Sequence, residues 1–249
     1  MPRESDLPGR VDALNARFRH HSATSVMEAA LTLPDLGKTA LVSSFGAESV
    51  VLLHMLSVID RHAKVLFIDT EMLFAETLTY QLDLTERLRL DGVEVIRARR
   101  SAIFERDNEN LLHLHAPDAC CALRKTEPLQ EALAPFESWV TGRKRYQGGA
   151  RQTLDFFEVE PDAPRIKVNP LAHWDRSDVA DYIAENRLPR HPLVSRGYPS
   201  IGCAPCTTRV NDGEEPRAGR WRDLEKTECG IHFANGRAVP GPTLAEQTR

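Results

Sequence analysis

An α/β fold, a Rossmann-like parallel sheet flanked by helices and followed by an irregular C-terminal segment and a mobile tail, is predicted by three features of the 249-residue sequence. Short β-type runs alternate with apolar segments of helical length, the pattern of right-handed βαβ units. Several of these runs end in small or polar residues, as strands do at the ligand-binding edge of a parallel sheet. Beyond Arg187, Pro189, Pro192, Pro199 and Pro205 interrupt any helical pattern.

The elements follow in order. Residues 10–33 place Val11, Leu14, Phe18, Val26, Ala29 and Ala30 at mixed three-to-four spacing, which predicts a packing helix pair. A strand over Thr39–Ser43 leads through Ser44-Phe45-Gly46 into an apolar helix over 48–59. Strand, small-residue loop and helix together aim backbone N–H groups at an anion, with Ser43, Ser44 and Gly46 as donors. A Gly/Ser loop with no ligand is the alternative. A buried strand over Lys64–Asp69 closes on Asp69-Thr70, followed by an amphipathic helix over 74–90 and a third strand over 93–98. Trp139–Gly142 is another strand edge. The nine residues after it, 143–151, hold four cations, no acid and two glycines, more than a solvated face needs. A flexible basic loop is the competing reading. A last strand is expected over 165–168, and Ser177 is the expected N-cap of a helix over 178–186.

Composition narrows the function classes. Apolar residues make up 41% and charged residues 27%, as in ordinary globular proteins. A net charge of −4 argues against general nucleic-acid binding. The most apolar stretch, Thr39–Ile59, contains Glu48, His54 and several serines, so it does not read as a membrane span. The polar first ten residues show no signal-peptide pattern, and the cysteine count of five is odd. Both point to the reducing cytoplasm, where cysteines serve as metal ligands or nucleophiles.

Chemistry concentrates in those cysteines. Cys120 and Cys121 are adjacent and precede Arg124 and Lys125; Cys203 and Cys206 form a C-x-x-C in a Gly/Pro turn. Two sulfurs aimed from one turn, with two further thiolates, complete a Cys₄ site. Neighbouring side chains rarely converge on one small ion, whereas a cluster of several irons offers each sulfur its own metal, so a [4Fe–4S] cluster is favoured over zinc. Buried free thiols and a redox dithiol are the bland alternatives. Such a site would also hold the irregular segment after Arg187. Arg209, Arg217, Arg220 and Arg222 surround Trp221, and arginine's planar fork suits phosphate or sulfate oxygens. Cys229 is left over; close to Lys226, His232 or an arginine, its thiolate would be nucleophilic, the alternative being an exposed tail cysteine.

Cys120-Cys121-x-x-Arg124-Lys125-x-x-Pro128-Leu129, the run Tyr198–Thr207 around the C-x-x-C, Arg217-Ala-Gly-Arg-Trp221 and Glu228-Cys-Gly-Ile-His232 together resemble the iron–sulfur adenylyl-sulfate (APS) reductases of assimilatory sulfate reduction. The Ser43–Ser49 loop and Thr141-Gly142 agree, and the resemblance runs from about Leu41 to His232. It implies a modified PP-loop fold of the adenine-nucleotide hydrolase type. Residues 1–36 would be an N-terminal helical segment, 37–210 the nucleotide- and cluster-binding domain, and 211–249 the segment carrying the nucleophile. The implied reaction converts APS and two thiols of reduced thioredoxin, or a glutaredoxin-like donor, into sulfite, AMP and oxidised donor. The resemblance makes Cys229 the nucleophile and Cys120, Cys121, Cys203 and Cys206 the ligands of one [4Fe–4S] cluster. The substrate-binding set it suggests is Ser43, Ser44, Phe45, Gly46, Asp69, Thr70, Lys125, Thr141, Lys144, Arg145, Arg151, Arg217, Arg220 and His232.

Three departures stand out. The Ser43–Ser49 loop lacks the Gly-Gly and Lys-Asp of ATP-using PP-loops, consistent with a ligand that has no pyrophosphate to cleave. Glu71 stands where the family often has Gly, and Arg143-Lys-Arg-Tyr146 where it commonly has Leu-Arg-Arg and an acid. The rival readings are a 3′-phosphoadenylyl-sulfate reductase, a PP-loop tRNA-thiolating enzyme and a zinc-stapled Cys₄ binding module. A homo-oligomer is compatible with the sequence, and no nucleic-acid or membrane partner is expected.

Overall fold

Short β-branched and aromatic runs form six strands in the computed structural model: β1 (Thr39–Ser43), β2 (Lys64–Ile68), β3 (Val93–Ile96), β4 (Ser138–Val140), β5 (Phe157–Val159) and β6 (Ile166–Val168). The structure describes residues 6–148, 151–161 and 163–222, and the backbone of 233–234 and 237–238. The sheet order is β3-β2-β1-β4-β6-β5. Its pairs are parallel except β5 with β6, where Phe157 faces Val168 and Val159 faces Ile166. The β5 strand is an addition to the expected sheet. Only a short connection separates it from β6, too little chain for a crossover, so the two pair as a hairpin.

The crossovers cover both faces. On one face, α1 (Leu7–Phe18), α2 (Ala23–Thr32), α3 (Ser49–Asp60) and α4 (Ala75–Arg87) build the larger core with Val26, Met27, Leu53 and Leu84. The N-terminal pair belongs to this core: Asn15 on α1 donates to the Phe157 carbonyl at 2.9 Å and accepts from the Phe157 N–H at 3.0 Å. After the short helices α5 (Arg100–Arg106), α6 (Leu112–His115) and α7 (Pro117–Cys121), a π-helical turn over Ala122–Thr126 leads into α8 (Glu127–Leu133). Leu129 and Leu133 of α8 pack with Leu66, Ile68 and Trp139 on the opposite face. The helical path from Pro117 to Leu133 is thus interrupted by the π turn, a feature that often marks functional sites.

The last α-helix among the described residues, α9 (Arg176–Glu185), starts earlier than expected. Asp175, not Ser177, is its N-cap: the Asp175 carboxylate accepts from the Asp178 N–H at 2.9 Å, and Asp178 accepts from the Asp175 N–H at 2.8 Å. Ser177 donates its hydroxyl to Asp175 instead. A carboxylate near a helix N-terminus also meets the favourable end of the helix dipole. Two short strands, β7 (Phe233–Ala234) and β8 (Arg237–Ala238), pair antiparallel. Among the described residues no helix is long and apolar enough to cross a membrane.

Candidate active site

Strand order reverses at β1, whose neighbours are β2 on one side and β4 on the other. A crevice opens outside the carboxyl ends of strands at such a switch point. Here it is a cleft of about 860 Å³, reached by Ser43 at the end of β1 and Ser44 beyond it, Thr70 after β2, and Thr141 and Gly142 after β4.

The loop after β1 is shaped from beneath. Phe45 has a left-handed backbone (φ 48°), and its N–H donates to Ser43 Oγ at 3.1 Å. Its ring is buried edge-on against Phe67, with centroids 5.1 Å apart. Phe45 therefore anchors the loop in the core, and its side chain does not line the cleft. Ser44 and Gly46 do line it. No side chain caps the first turn of α3, where the Ser49 N–H donates to the Gly46 carbonyl at 3.2 Å and the Val51 N–H to the Glu48 carbonyl at 3.3 Å. The positive end of the helix dipole is what this terminus offers an anion. Glu48, beside this terminus, accepts from Lys144 Nζ at 2.7 Å and Tyr146 Oη at 2.8 Å. Burial pushes the Glu48 carboxyl up, but the Lys144 charge and these hydrogen bonds hold it below the usual range. Lys144 also donates to the Gly142 carbonyl at 3.0 Å, so its ammonium braces the loop while its chain lines the cleft.

Two further expected residues are engaged elsewhere. Arg145 donates to the Leu154 carbonyl at 2.6 Å and to Asp155 at 2.9 Å, and it does not line the cleft. Asp69 is buried, accepting from Arg97 at 2.9 Å and from the Glu71 N–H at 2.9 Å. Thr141 lines the cleft and donates to Asn169 at 2.9 Å, fixing the strand end. Lys125, Arg151, Arg217 and Arg220 all line it. Arg217 and Arg220 come in on a segment laid antiparallel to the C-x-x-C exit: Thr207 pairs with Arg220, and the Trp221 N–H reaches the Cys206 carbonyl at 3.2 Å. The Arg220 guanidinium lies over Gly202, in the space that a Cβ would take.

Cys120, Cys121, Cys203 and Cys206 all line this same cleft. Burial, then the neighbouring Cys121 and Cys203, push the Cys120 thiol up to about 12. Protein groups alone therefore favour a neutral thiol, and a bound cation would reverse that preference. Among the described residues no three His, Cys, Asp or Glu side chains converge closely enough for a single metal ion. Thr70 Oγ1 lies 3.2 Å from Cys203 Sγ, and the Ala204 N–H donates to the Met72 carbonyl at 2.7 Å, so the β2 loop cradles the C-x-x-C. Arg124, inside the π turn at the cleft wall, is buried, its Nη2 and Nε donating to Asp107 at 2.7 and 3.0 Å. Cys229 and His232 lie outside the described residues.

Residues 38–209 match the model of the phosphoadenosine phosphosulfate reductase domain. The chain belongs to that family. It is 44% identical over 233 residues to the adenosine 5′-phosphosulfate reductase of Chelativorans sp. (strain BNC1), covering 93% of this chain and 94% of the relative. A protein named phosphoadenosine 5′-phosphosulfate reductase in Gloeobacter violaceus is 41% identical over 203 residues, covering 78% of this chain and 82% of the relative. Among solved structures, the phosphoadenylyl-sulfate reductase of Candida auris superposes with a TM-score of 0.69 at 26% identity, covering 80% of this chain and 96% of that one. FMN adenylyltransferase of Candida glabrata, at 14% identity and a TM-score of 0.54, covering 98% of this chain and 90% of that one, shares the fold.

The structure adds cleft residues that the sequence did not single out. Glu48, Tyr146 and Arg176 form one polar wall, with the Arg176 guanidinium 5.6 Å from the Tyr146 ring centre. Tyr146, the departure from the acidic residue common in the family, was the available signal. His113 also lines the cleft, on a helix of four residues that no periodicity marks.

Proposed function

We propose that this chain reduces adenylyl sulfate to sulfite and AMP with thioredoxin, or a glutaredoxin-like dithiol, as donor. One observation carries the reading: a nucleotide-type loop, a lysine–arginine set and four cysteines meet in one cleft at the switch point of the sheet. The relative named adenosine 5′-phosphosulfate reductase, at 44% identity, supports it.

In this reading the Cys229 thiolate attacks the sulfur of the sulfate group. The S–O bond to the phosphate breaks, AMP leaves with the bonding pair, and an S-sulfocysteine remains. A donor thiolate then attacks the Cys229 sulfur; sulfite departs with the S–S bonding pair and a mixed disulfide forms. The donor's second thiol resolves it, restoring Cys229 and leaving the donor oxidised by two electrons. The barrier is electrostatic. Like charges about 4 Å apart repel by roughly 1 kcal/mol in water and about 4 kcal/mol at an effective dielectric near 20. Lys125, Arg217 and Arg220, with Arg151 behind them, offset this repulsion and stabilise the departing phosphate. The positive end of the α3 dipole adds to their field.

Four cysteines lining one cleft, two at the end of α7 and two in the C-x-x-C turn, suit a [4Fe–4S] cluster, which takes one thiolate per iron, better than a single ion. Held by Cys120, Cys121, Cys203 and Cys206, it would supply a fixed local field and a brace between the loops carrying Lys125 and Thr70. The division of labour follows: residues 37–210 bind nucleotide and cluster, and residues 211–249 deliver the nucleophile.

The test is mass spectrometry of purified protein given adenylyl sulfate without donor. A sulfonate adduct at Cys229 is expected. In Cys229→Ser, sulfite production is lost while the visible spectrum of the iron–sulfur protein is unchanged; retained turnover removes Cys229 as nucleophile. The relative named phosphoadenosine 5′-phosphosulfate reductase, at 41% identity, supports a second substrate, 3′-phosphoadenylyl sulfate. Comparing kcat/KM for the two nucleotides decides between them.

A further inference from the structure

The two cysteine pairs are far apart in sequence, one ending α7 and the other in the turn that precedes Thr207. A buried polar chain connects them. Arg124 follows Cys121 by three residues, inside the π turn, and its side chain is 3% exposed. Its Nε and Nη2 donate to one oxygen of Asp107, whose side chain is 2% exposed, at 3.0 and 2.7 Å. Nη2 also donates to Asn110 at 2.7 Å, and Nη1 to the Thr70 carbonyl at 3.2 Å. Thr70 is the residue whose hydroxyl lies against Cys203 Sγ. The other Asp107 oxygen accepts from the Leu112 N–H at 2.9 Å and starts α6. A continuous polar path therefore runs from α5 and α6 through Arg124 to Thr70 and Cys203.

We propose that Arg124, clamped by Asp107 and Asn110, is the positioning residue that sets the separation between the Cys120–Cys121 pair and the Cys203–Cys206 turn. It rests on the reading of the four thiols as one site. The physical reason is directional. A planar guanidinium with bonds to a carboxylate, an amide oxygen and a backbone carbonyl fixes three segments at once, which a lysine's rotating ammonium cannot do. A buried ion pair that could be exchanged for apolar side chains without loss of stability is more readily explained by geometry than by stability. The Glu71 carboxylate, 4.0 Å from Arg124, adds a second negative group facing the guanidinium.

The decisive variant is Asp107→Asn combined with Arg124→Met. The amide keeps an acceptor for Leu112, and no unpaired charge is left buried, so the double variant is expected to melt close to the wild type. Asp107→Asn alone strands the guanidinium and should melt well below it. The full-length chain, stripped of metal and reduced, is treated with a short bis-alkylating reagent, and bridged peptides are mapped. Bridges between the Cys120–Cys121 peptide and the Cys203–Cys206 peptide should fall severalfold in the double variant, while bridges within the C-x-x-C stay constant. After reconstitution with ferrous iron and sulfide, the double variant should hold iron about 10- to 100-fold more weakly, as found for outer partners of metal ligands. Asn110→Ala, which removes one arm from the protein's edge, should move both readouts in the same direction by less. Unchanged bridging between the loops in a double variant that melts like the wild type overturns the proposal. A wild type that takes up no iron and sulfide while the bridging shift is still seen overturns the cluster reading and leaves the positioning role standing.

Discussion

Acid should loosen this fold first at His191. The side chain is 1% exposed, packed 4.9 Å from the Tyr80 ring, and both its nitrogens are used. Nδ1 accepts from the Leu193 N–H at 3.2 Å, so Nε2 carries the proton and donates to Thr77 Oγ1 at 3.0 Å. A second proton would have to displace the Leu193 bond in a site without solvent. Burial accordingly pushes the imidazole from its ordinary 6.5 down to about 4, against the pull of Glu76 upward. The folded state thus binds the proton more weakly than the unfolded chain, so stability is full above pH 6.5 and falls as pH drops toward 4. With those two values, linkage gives a loss of about 2 kcal/mol by pH 5 and about 3 kcal/mol by pH 4. Against a typical total of about 5–15 kcal/mol, this is a large share. Urea unfolding at pH 7 and pH 5 measures it, with His191→Gln as the non-titrating reference. The variant starts less stable at pH 7 but should lose about 2 kcal/mol less than the wild type between the two values. Equal losses in both proteins would refute the reasoning. The consequence is local, because His191 ties α4 to the segment that delivers the C-x-x-C.

Other outcomes follow from the same structure. Phe45→Ala should cost about 3–5 kcal/mol of stability in urea unfolding, because the ring fills the core beside Phe67, with the nucleotide KM moving only as far as the loop loosens. Trp139→Phe removes the indole donor to buried Glu160 at 3.0 Å and should cost about 1–3 kcal/mol at pH 7 by the same assay. The two neighbouring-looking lysines separate cleanly: Lys125→Ala should lower kcat about 100-fold or more with unchanged melting, whereas Lys144→Ala should lower the melting temperature by leaving Glu48 without its cation. Purified protein should be brown, with iron and acid-labile sulfide near four each per chain; a colourless protein with one zinc would replace the cluster by a structural zinc site.

Local pattern carried most of the fold. The strands at Thr39 and Lys64 are legible because burial on both faces of a parallel sheet demands near-continuous apolar runs, the edge strand at Val93 because Val93, Val95 and Ile96 are β-branched, and α3 and α4 because they are long enough to show their period. The β5 strand was not legible, since three residues beside a hairpin carry no periodicity. The start of α9 was misplaced by two residues because Asp175 and Ser177 are both good caps, and only the reciprocal bonds of Asp175 and Asp178 choose between them. At the site, residue type predicted chemistry but not orientation. Phe45 and Arg145 sit in motif-bearing runs, yet one ring turns into the core and one guanidinium turns to Asp155.

The sequence by itself determined the alternation of strands and helices, the two cysteine pairs with their basic neighbours, and the family to which the chain belongs. These depend on residue type and short spacing, which the chain carries wherever it goes. Only the tertiary structure decided which cations reach the cleft, that Glu48 and Tyr146 share its wall, and that Arg124 links both cysteine loops through Thr70. Those contacts join residues far apart in the chain, and they exist because a parallel sheet reversing its order at β1 brings the ends of β1, β2 and β4 to one edge.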